Sequence, residues 1–255
     1  MTMKLKLDIQ RSAGENADLI FQRAKKLERK AEAAKDAIEE LKKRIEDFER
    51  EELKEEPETV LKKRKWFEKF RWFRTSQGNL AIGGRDATTN EMAIKKHTTP
   101  DHFVLHADIS GSPFFVLPPE ATEKELMEAA IATVSYSRAW KKRIGEMEAY
   151  YVKASQVTKE AKAGEYMGKG AFMIYGEREY LTAPLQVAIG FTDRVIGGPL
   201  SAISAQTEKF VVIRPGYEKP SQVAKKIRGF LKIKASIDEI IRFLPPGPCD
   251  IERRK

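Results

Sequence analysis

One cysteine, Cys249, stands in the whole chain of 255 residues. A disulfide framework within one molecule is therefore excluded, as is a zinc site built from clustered cysteines, and a reducing, cytoplasmic compartment is expected. Long apolar runs are missing too. None approaches the roughly 20 residues that a membrane span requires, so no membrane is expected as a partner. The polar N-terminal residues pass straight into a charged helical pattern, unlike a signal peptide or an anchor. Between Gly14 and Pro57 there is neither proline nor glycine. Nothing in that stretch interrupts a helix.

The charge is unevenly shared. The net of +9 comes from 47 basic and 38 acidic residues. Residues 1–57 carry 14 Lys and Arg against 15 Asp and Glu, a net of −1, so residues 58–255 carry +10. An excess of that kind raises both the on-rate and the affinity for a polyanion, and counterion release makes such binding salt-dependent. Solubility alone is the plainer use of the same charge.

Ser12-Ala13-Gly14-Glu15 has the form of a capping box, and a regular 3-4 alternation follows it. Ala17, Ile20, Ala24, Leu27, Ala31, Ala34, Ile38, Leu41, Ile45 and Phe48 occupy consecutive core positions of a heptad. Such a seam predicts a coiled-coil helix over residues 1–57, a rod of about 57 Å between Asn16 and Leu53 at 1.5 Å per residue. One helix cannot bury its own seam, so residues 16–53 call for a helix that folds back or a second copy of the chain. Residues 58–69 read as a basic-aromatic connector containing Lys62 to Lys65 and Trp66. From residue 70 to 255 the period changes. Strands are expected at 70–75, 80–83, 103–108, 114–117, 171–175, 185–191 and 210–214, with helices opened by Thr122 and Ser236. Their irregular mixing predicts an α+β domain with a mixed or largely antiparallel sheet and packed helices.

Three segments place polar residues at the ends of apolar strands. In Gly83-Gly84-Arg85-Asp86-Ala87-Thr88-Thr89-Asn90-Glu91 the glycines permit a tight turn, and Asp86 or Thr88 can cap a helix running to Lys96. Free N–H groups beside Arg85 would suit a phosphate, although neither the P-loop nor the dinucleotide fingerprint is present; an Arg85–carboxylate pair that only fixes the turn is the alternative. In His102-Phe103-Val104-Leu105-His106-Ala107-Asp108, strand alternation puts His106 and Asp108 on one face. That pair suits metal or acid–base chemistry, a buried histidine held by a carboxylate, or hydrogen bonds to a nucleotide. The third segment, residues 156–170, is a loop with Lys159, Lys162 and Lys169 for phosphates and Tyr166 for stacking on a base, with Lys153 just before it. Further basic clusters fall at Arg138 to Arg143, Lys225 to Arg228 and Arg253 to Lys255. Trp66, Trp72 and Trp140 suit either base stacking or a core.

Several of these motifs, in this order, resemble the NFACT family. They are Lys69-Phe70-Arg71-Trp72-Phe73; Ile82-Gly83-Gly84-Arg85-Asp86-Ala87 with Asn90-Glu91; His106-Ala107-Asp108 with Gly111; and Tyr136-Ser137-Arg138-Ala139-Trp140. Gln156-Val157-Thr158-Lys159, Gly164-Glu165-Tyr166, Gly170 to Gly176 and Pro245-Pro246-Gly247 continue the match. Leu7-Asp8, Ser12 and Glu15-Asn16-Ala17 look like the start of the family's coiled coil. The family includes fibronectin-binding-protein-A-like proteins and the eukaryotic nuclear export mediator factor. The resemblance implies an RNA-binding NFACT-R domain in a ribosome-quality-control factor. Its partners would be tRNA, ribosomal RNA and the large ribosomal subunit carrying a stalled nascent chain, in support of C-terminal tailing. For residues 16–53 it adds a contact with a ribosomal protein to the ways of covering the seam. It implies no enzyme and no cofactor. The family's NFACT-N and helix-hairpin-helix domains are not matched, so their tRNA-reading residues cannot be carried over. Arg71, Arg74, Arg85, Lys95, Lys153, Lys159 and Lys169 are the expected phosphate contacts, with Asp86, Asn90, His106 and Asp108 ordering the pocket. A nucleic-acid-binding role outside the ribosome pathway, a coiled-coil scaffold, and an enzyme using His106 and Asp108 are the other readings.

Overall fold

The structure, a computed structural model, describes residues 7–55, 65–160 and 168–252, and the side chains of all these except 45–55. Lys62 to Arg64, Lys162, the segment 164–166 and Arg253 to Lys255 lie outside the described residues. The chain divides into two units, Met1–Glu56 and Pro57–Lys255.

The first unit is built on one helix, α1 (Ala13–Glu55). Its start is closed by the expected capping box, with Ser12 N donating to Glu15 Oε2 at 2.8 Å and Glu15 N donating to Ser12 Oγ at 3.3 Å. Asn16 adds a second clasp, accepting from Asp8 N and donating to Asp8 O. The heptad residues Leu27, Ile38 and Leu41 are 59%, 53% and 57% exposed.

In the second unit a 3-10 turn at Trp66–Lys69 leads into β1 (Arg71–Arg74), β2 (Leu80–Gly83), α2 (Ala87–His97), β3 (Phe103–His106), β4 (Phe115–Leu117), α3 (Glu123–Ser135) and β5 (Glu146–Lys153). There follow β6 (Val157–Thr158), β7 (Met173–Ile174), β8 (Glu179–Pro184), β9 (Val187–Phe191), β10 (Val195–Gly198) and α4 (Leu200–Ser204). The unit ends with β11 (Phe210–Glu218), α5 (Pro220–Leu231), α6 (Ile237–Ile241) and β12 (Cys249–Glu252). The strands make a six-stranded sheet in the order β1-β2-β4-β3-β5-β8, a four-stranded sheet β10-β9-β11-β12, and the β6-β7 pair. Every pairing is antiparallel. This is an α+β fold.

Helix α3 packs on β3, β4, β5 and β8 and also touches β9 of the second sheet. Its inner residues Leu126, Ala129, Ala130 and Ala132 are buried, and alanine lets the helix approach the strands closely. Two carboxylates of the same helix are fully covered. Glu125 accepts from Thr75 Oγ1 and Thr122 N, while Glu128 accepts from Ser76 N and Ser201 Oγ. They tie α3 to the turn between β1 and β2 with their lone pairs satisfied, as buried polar groups require. Helix α3 stops at Ser135, so Arg138 to Arg143 follow it in turns rather than ending it.

Candidate nucleic-acid interface

The three polar segments, far apart in sequence, meet around α2. The turn before it is held from inside. A Cβ on Gly84 would fall on the Asn90 carboxamide, so only glycine fits there. Asn90 Oδ1 in turn accepts from Phe114 N at 3.1 Å, fastening α2 to the start of β4. The loop carrying Lys169 lies on the first turn of α2: a Cβ on Gly170, whose φ is +79°, would sit 2.5 Å from Ala87 Cα. Lys159 reaches across to Glu91 at 2.7 Å and also donates to the carbonyls of Gly168 and Ala171. This contact, the nearby Lys95 and the Gly170 N–H hold the Glu91 carboxyl below its ordinary range.

The second segment joins through aromatic rings. His106 stacks on Phe114 with centroids 4.0 Å apart, and Phe114 meets Phe172 edge-on at 5.4 Å. The Nδ1–H of His106 donates to Pro113 O at 3.1 Å, and burial pushes the imidazole toward its neutral form. Asp108 lies beyond the end of β3, where both carboxylate oxygens accept from Arg178 at 3.3 Å. Arg178 lies 4.6 Å from the centroid of the Tyr150 ring, over its face. Among the described residues His106 and Asp108 share no hydrogen bond, and no group of three His, Cys, Asp or Glu side chains could hold a metal ion.

The expected phosphate contacts fall into two groups. Arg71 and Arg85 are half-buried. Arg71 lies 4.3 Å from the Tyr136 ring centroid, and burial lowers its pKa. Arg85 donates to Phe70 O at 3.1 Å and Arg242 O at 3.0 Å; burial, then the neighbouring Arg71 charge, bring its pKa down to about 10. At neutral pH it stays charged. Its donors face backbone carbonyls, so it fixes the turn by a route other than a carboxylate partner. The N-terminus of α2 is likewise in use: Thr89 N donates to Asp86 Oδ1 at 2.8 Å, and the N–H groups of Arg85 and Asp86 both go to Thr89 Oγ1. Asp86 is thus the helix cap, held below its usual pKa first by the Thr89 N–H. Lys153 donates to Asp101 O and sits 3.5 Å from the centroid of Phe103. Lys159 is engaged as described.

Lys95 and Lys169 form the other group, exposed along α2 and at its first turn, and Lys96, which was not among the expected contacts, stands exposed beside Lys95. Arg74 is exposed at the end of β1, donating to Gly78 O at 2.9 Å. Of the tryptophans, Trp140 and Trp72 are core, while Trp66 is 54% exposed. Arg178 escaped the sequence reading because nothing local links it to Asp108, seventy residues away.

No helix among the described residues is long and apolar enough to cross a membrane. Residues 69–176 match the family described as NFACT protein RNA binding domain. The chain is 40% identical over 205 residues to the archaeal Rqc2 homologue aRqcH of Methanocaldococcus jannaschii, covering 76% of this chain and 30% of that protein. It is 37% identical over 177 residues to ribosome quality control complex subunit NEMF of Homo sapiens, covering 66% of this chain and 16% of that one. The Drosophila melanogaster NEMF homologue is 35% identical over 183 residues, 69% of this chain and 18% of its own length. The chain therefore spans under a third of each of these relatives. The motif-bearing segments that converge on α2 lie in the matched domain, and the similarity runs well past it. On these grounds the chain belongs to the NFACT family.

Proposed function

We propose that the second unit is a non-enzymatic RNA-binding module of cytoplasmic ribosome quality control, contacting tRNA and ribosomal RNA on large subunits that carry stalled nascent chains. In this reading Lys95, Lys96 and Lys169 on the outer side of α2 contact phosphates, with Arg74 and Lys153 at the margins. Arg71, Arg85, Asp86, Asn90, His106, Asp108 and Lys159 hold the surface in shape. The observation that carries it is the convergence of segments from residues 83–91, 103–114 and 156–172 around one helix, with uncovered lysines along that helix. Phosphate contacts of this type fix position and supply salt-dependent affinity. The names of the human and Drosophila relatives place those proteins in ribosome quality control, and the matched family is described as RNA binding, which supports the choice of RNA.

The exposed apolar seam of α1 supports a second part of the proposal. It pairs with a like helix, from a second copy or from a ribosomal protein, and so helps to place the RNA-binding unit.

Co-sedimentation of the full chain with large subunits tests the proposal. Subunits bearing peptidyl-tRNA should retain the chain better than empty ones, and reversing Lys95, Lys96 and Lys169 together should abolish the difference. Equal retention on both subunits, or retention untouched by the reversal, would contradict it.

A further inference from the structure

The C-terminal end of α2 differs in kind from the capped N-terminal end. Trp66 lies flat on His97, with ring centroids 4.5 Å apart and planes 20° from parallel. Phe67 and Phe70 meet Trp66 edge-on at 5.7 and 6.4 Å and brace it. Beside this stack opens a cleft of about 150 Å³, walled by Trp66, His97, His102, Ile82, Val116 and Pro118. A cavity of about 150 Å³ is the size that takes up a benzene ring when lined with apolar side chains.

The polar groups of the cleft are few and specific. His97 Nε2 is closed off and has no hydrogen-bond partner, so this ring serves as the aromatic backing of Trp66. His102 Nδ1 accepts from Thr99 N at 3.1 Å, so its neutral ring carries the proton on Nε2 and offers a donor. Burial, then Lys69 and Lys96, lower the pKa of His97; burial also lowers that of His102, against the opposing pull of Glu120 and Asp101, with Lys153 adding a smaller push in the same sense as burial. Both rings are therefore mainly neutral near pH 7, with Lys69 and Lys96 near the first and Lys153, Glu120 and Asp101 near the second. A flat exposed indole, an imidazole N–H and nearby lysines match the chemistry of an unpaired base with its phosphates.

We infer that the cleft beside the Trp66–His97 stack seats an unpaired nucleobase of the bound RNA, stacked on Trp66 and hydrogen-bonded at its edge by the Nε2–H of His102. The inference rests on the RNA-binding reading above and sharpens it. The lysines along α2, a helix of about 16 Å, lead the backbone toward the cleft, and the cleft captures a base that a duplex would keep paired.

Fluorescence tests it on the full chain. Trp72 and Trp140 are buried, so quenching by added RNA reports mainly on Trp66. Single-stranded oligoadenylate should quench, and a blunt RNA duplex should not. Trp66→Ala should weaken oligoadenylate binding roughly ten- to hundredfold, the loss associated with one base–aromatic stack, with its salt dependence unchanged. Trp66→Phe should retain most of the affinity, and unchanged thermal melting of both variants would show that the fold is intact. If Trp66→Ala binds single strands like the parent while reversal of Lys95, Lys96 and Lys169 still weakens RNA binding, the cleft assignment falls and the RNA-binding reading stands. If the unmodified chain binds neither RNA, both fall. Absent quenching alongside tight single-strand binding would also overturn the inference, leaving the cleft to a partner protein's side chain.

Discussion

The basic residues around α2 have opposite duties. Inside, Arg85 donates to two backbone carbonyls, and Arg242 reaches Glu68 O at 3.0 Å, so guanidinium groups join the start of the domain to its last helix. Arg71 packs on Tyr136, whose hydroxyl donates to Phe243 O at 2.7 Å in the same region. Outside, Lys95, Lys96 and Lys169 stand in solvent. The comparison teaches that net charge is a poor guide to function until each cation has been traced to its acceptor. Planar arginine suits fixed carbonyl acceptors, whereas lysine on a flexible stem suits a mobile polyanion.

If that division is right, the inner arginines matter for stability and the outer lysines for binding. Arg85→Met should cost the most, about 2–4 kcal/mol, because it strands two partly buried carbonyls. Urea unfolding should show the loss as a lower midpoint, with the salt slope of RNA binding unchanged in the folded protein. A stable Arg85→Met with weakened RNA affinity would reverse the division. Removing the cap with Asp86→Ala should cost about 1 kcal/mol by the same measurement.

A smaller effect follows from pH. His106 has a folded pKa below its ordinary 6.5, so the unfolded chain binds more protons and stability falls as pH drops through and below 6.5. Asp86 and Glu125 are also depressed, the first by the Thr89 N–H and the second by hydrogen bonds from Thr75 and Thr122 that outweigh its burial. Their contribution is present above the unfolded values of 3.8 and 4.5 and is lost below them as the folded carboxylates protonate. His106→Phe keeps the stack on Phe114 and should reduce the dependence of the melting temperature on pH between about pH 5 and 7, the lowered His97 and His102 carrying the rest, and leave the acid limb unchanged. An unaltered profile in that range would mean that His106 does not carry the effect. Lys95→Gln should change stability least, by under about 0.5 kcal/mol, as expected of an exposed side chain. A larger loss in urea would put Lys95 among the structural cations.

Much of this architecture was legible in the chain. The heptad marked α1, the Gly-Gly turn and Asp86 marked the start of α2, and the Thr122 capping box opened α3 where expected. Strand β5 was not seen. Its Glu146-Met147-Glu148-Ala149-Tyr150-Tyr151 run looks polar, yet it lies between β3 and β8, with Ala149 and Tyr150 covered. Helix α5 was read as the basic cluster Lys225 to Arg228, although Val223, Ala224, Ile227 and Leu231 form its buried stripe. Residue types at the interface were visible as well. What spacing could not tell was which arginines turn inward: Arg85 finds the carbonyl of Arg242, 157 residues later, and only the folded chain brings that acceptor near. Sequence leaves Trp66 open between base stacking and a core, and its exposure and its stack on His97 set it apart from Trp72 and Trp140.

The salt dependence of tRNA binding tests the central claim most directly, measured side by side for the unmodified chain and for the Lys95→Glu, Lys96→Glu, Lys169→Glu triple variant. Each lost phosphate contact should lower the slope of log affinity against log salt by about 0.7–0.9, so the variant should bind more weakly with a slope shallower by about 2 to 3. Identical affinity and slope in the two proteins would contradict the assignment of RNA to the outer side of α2.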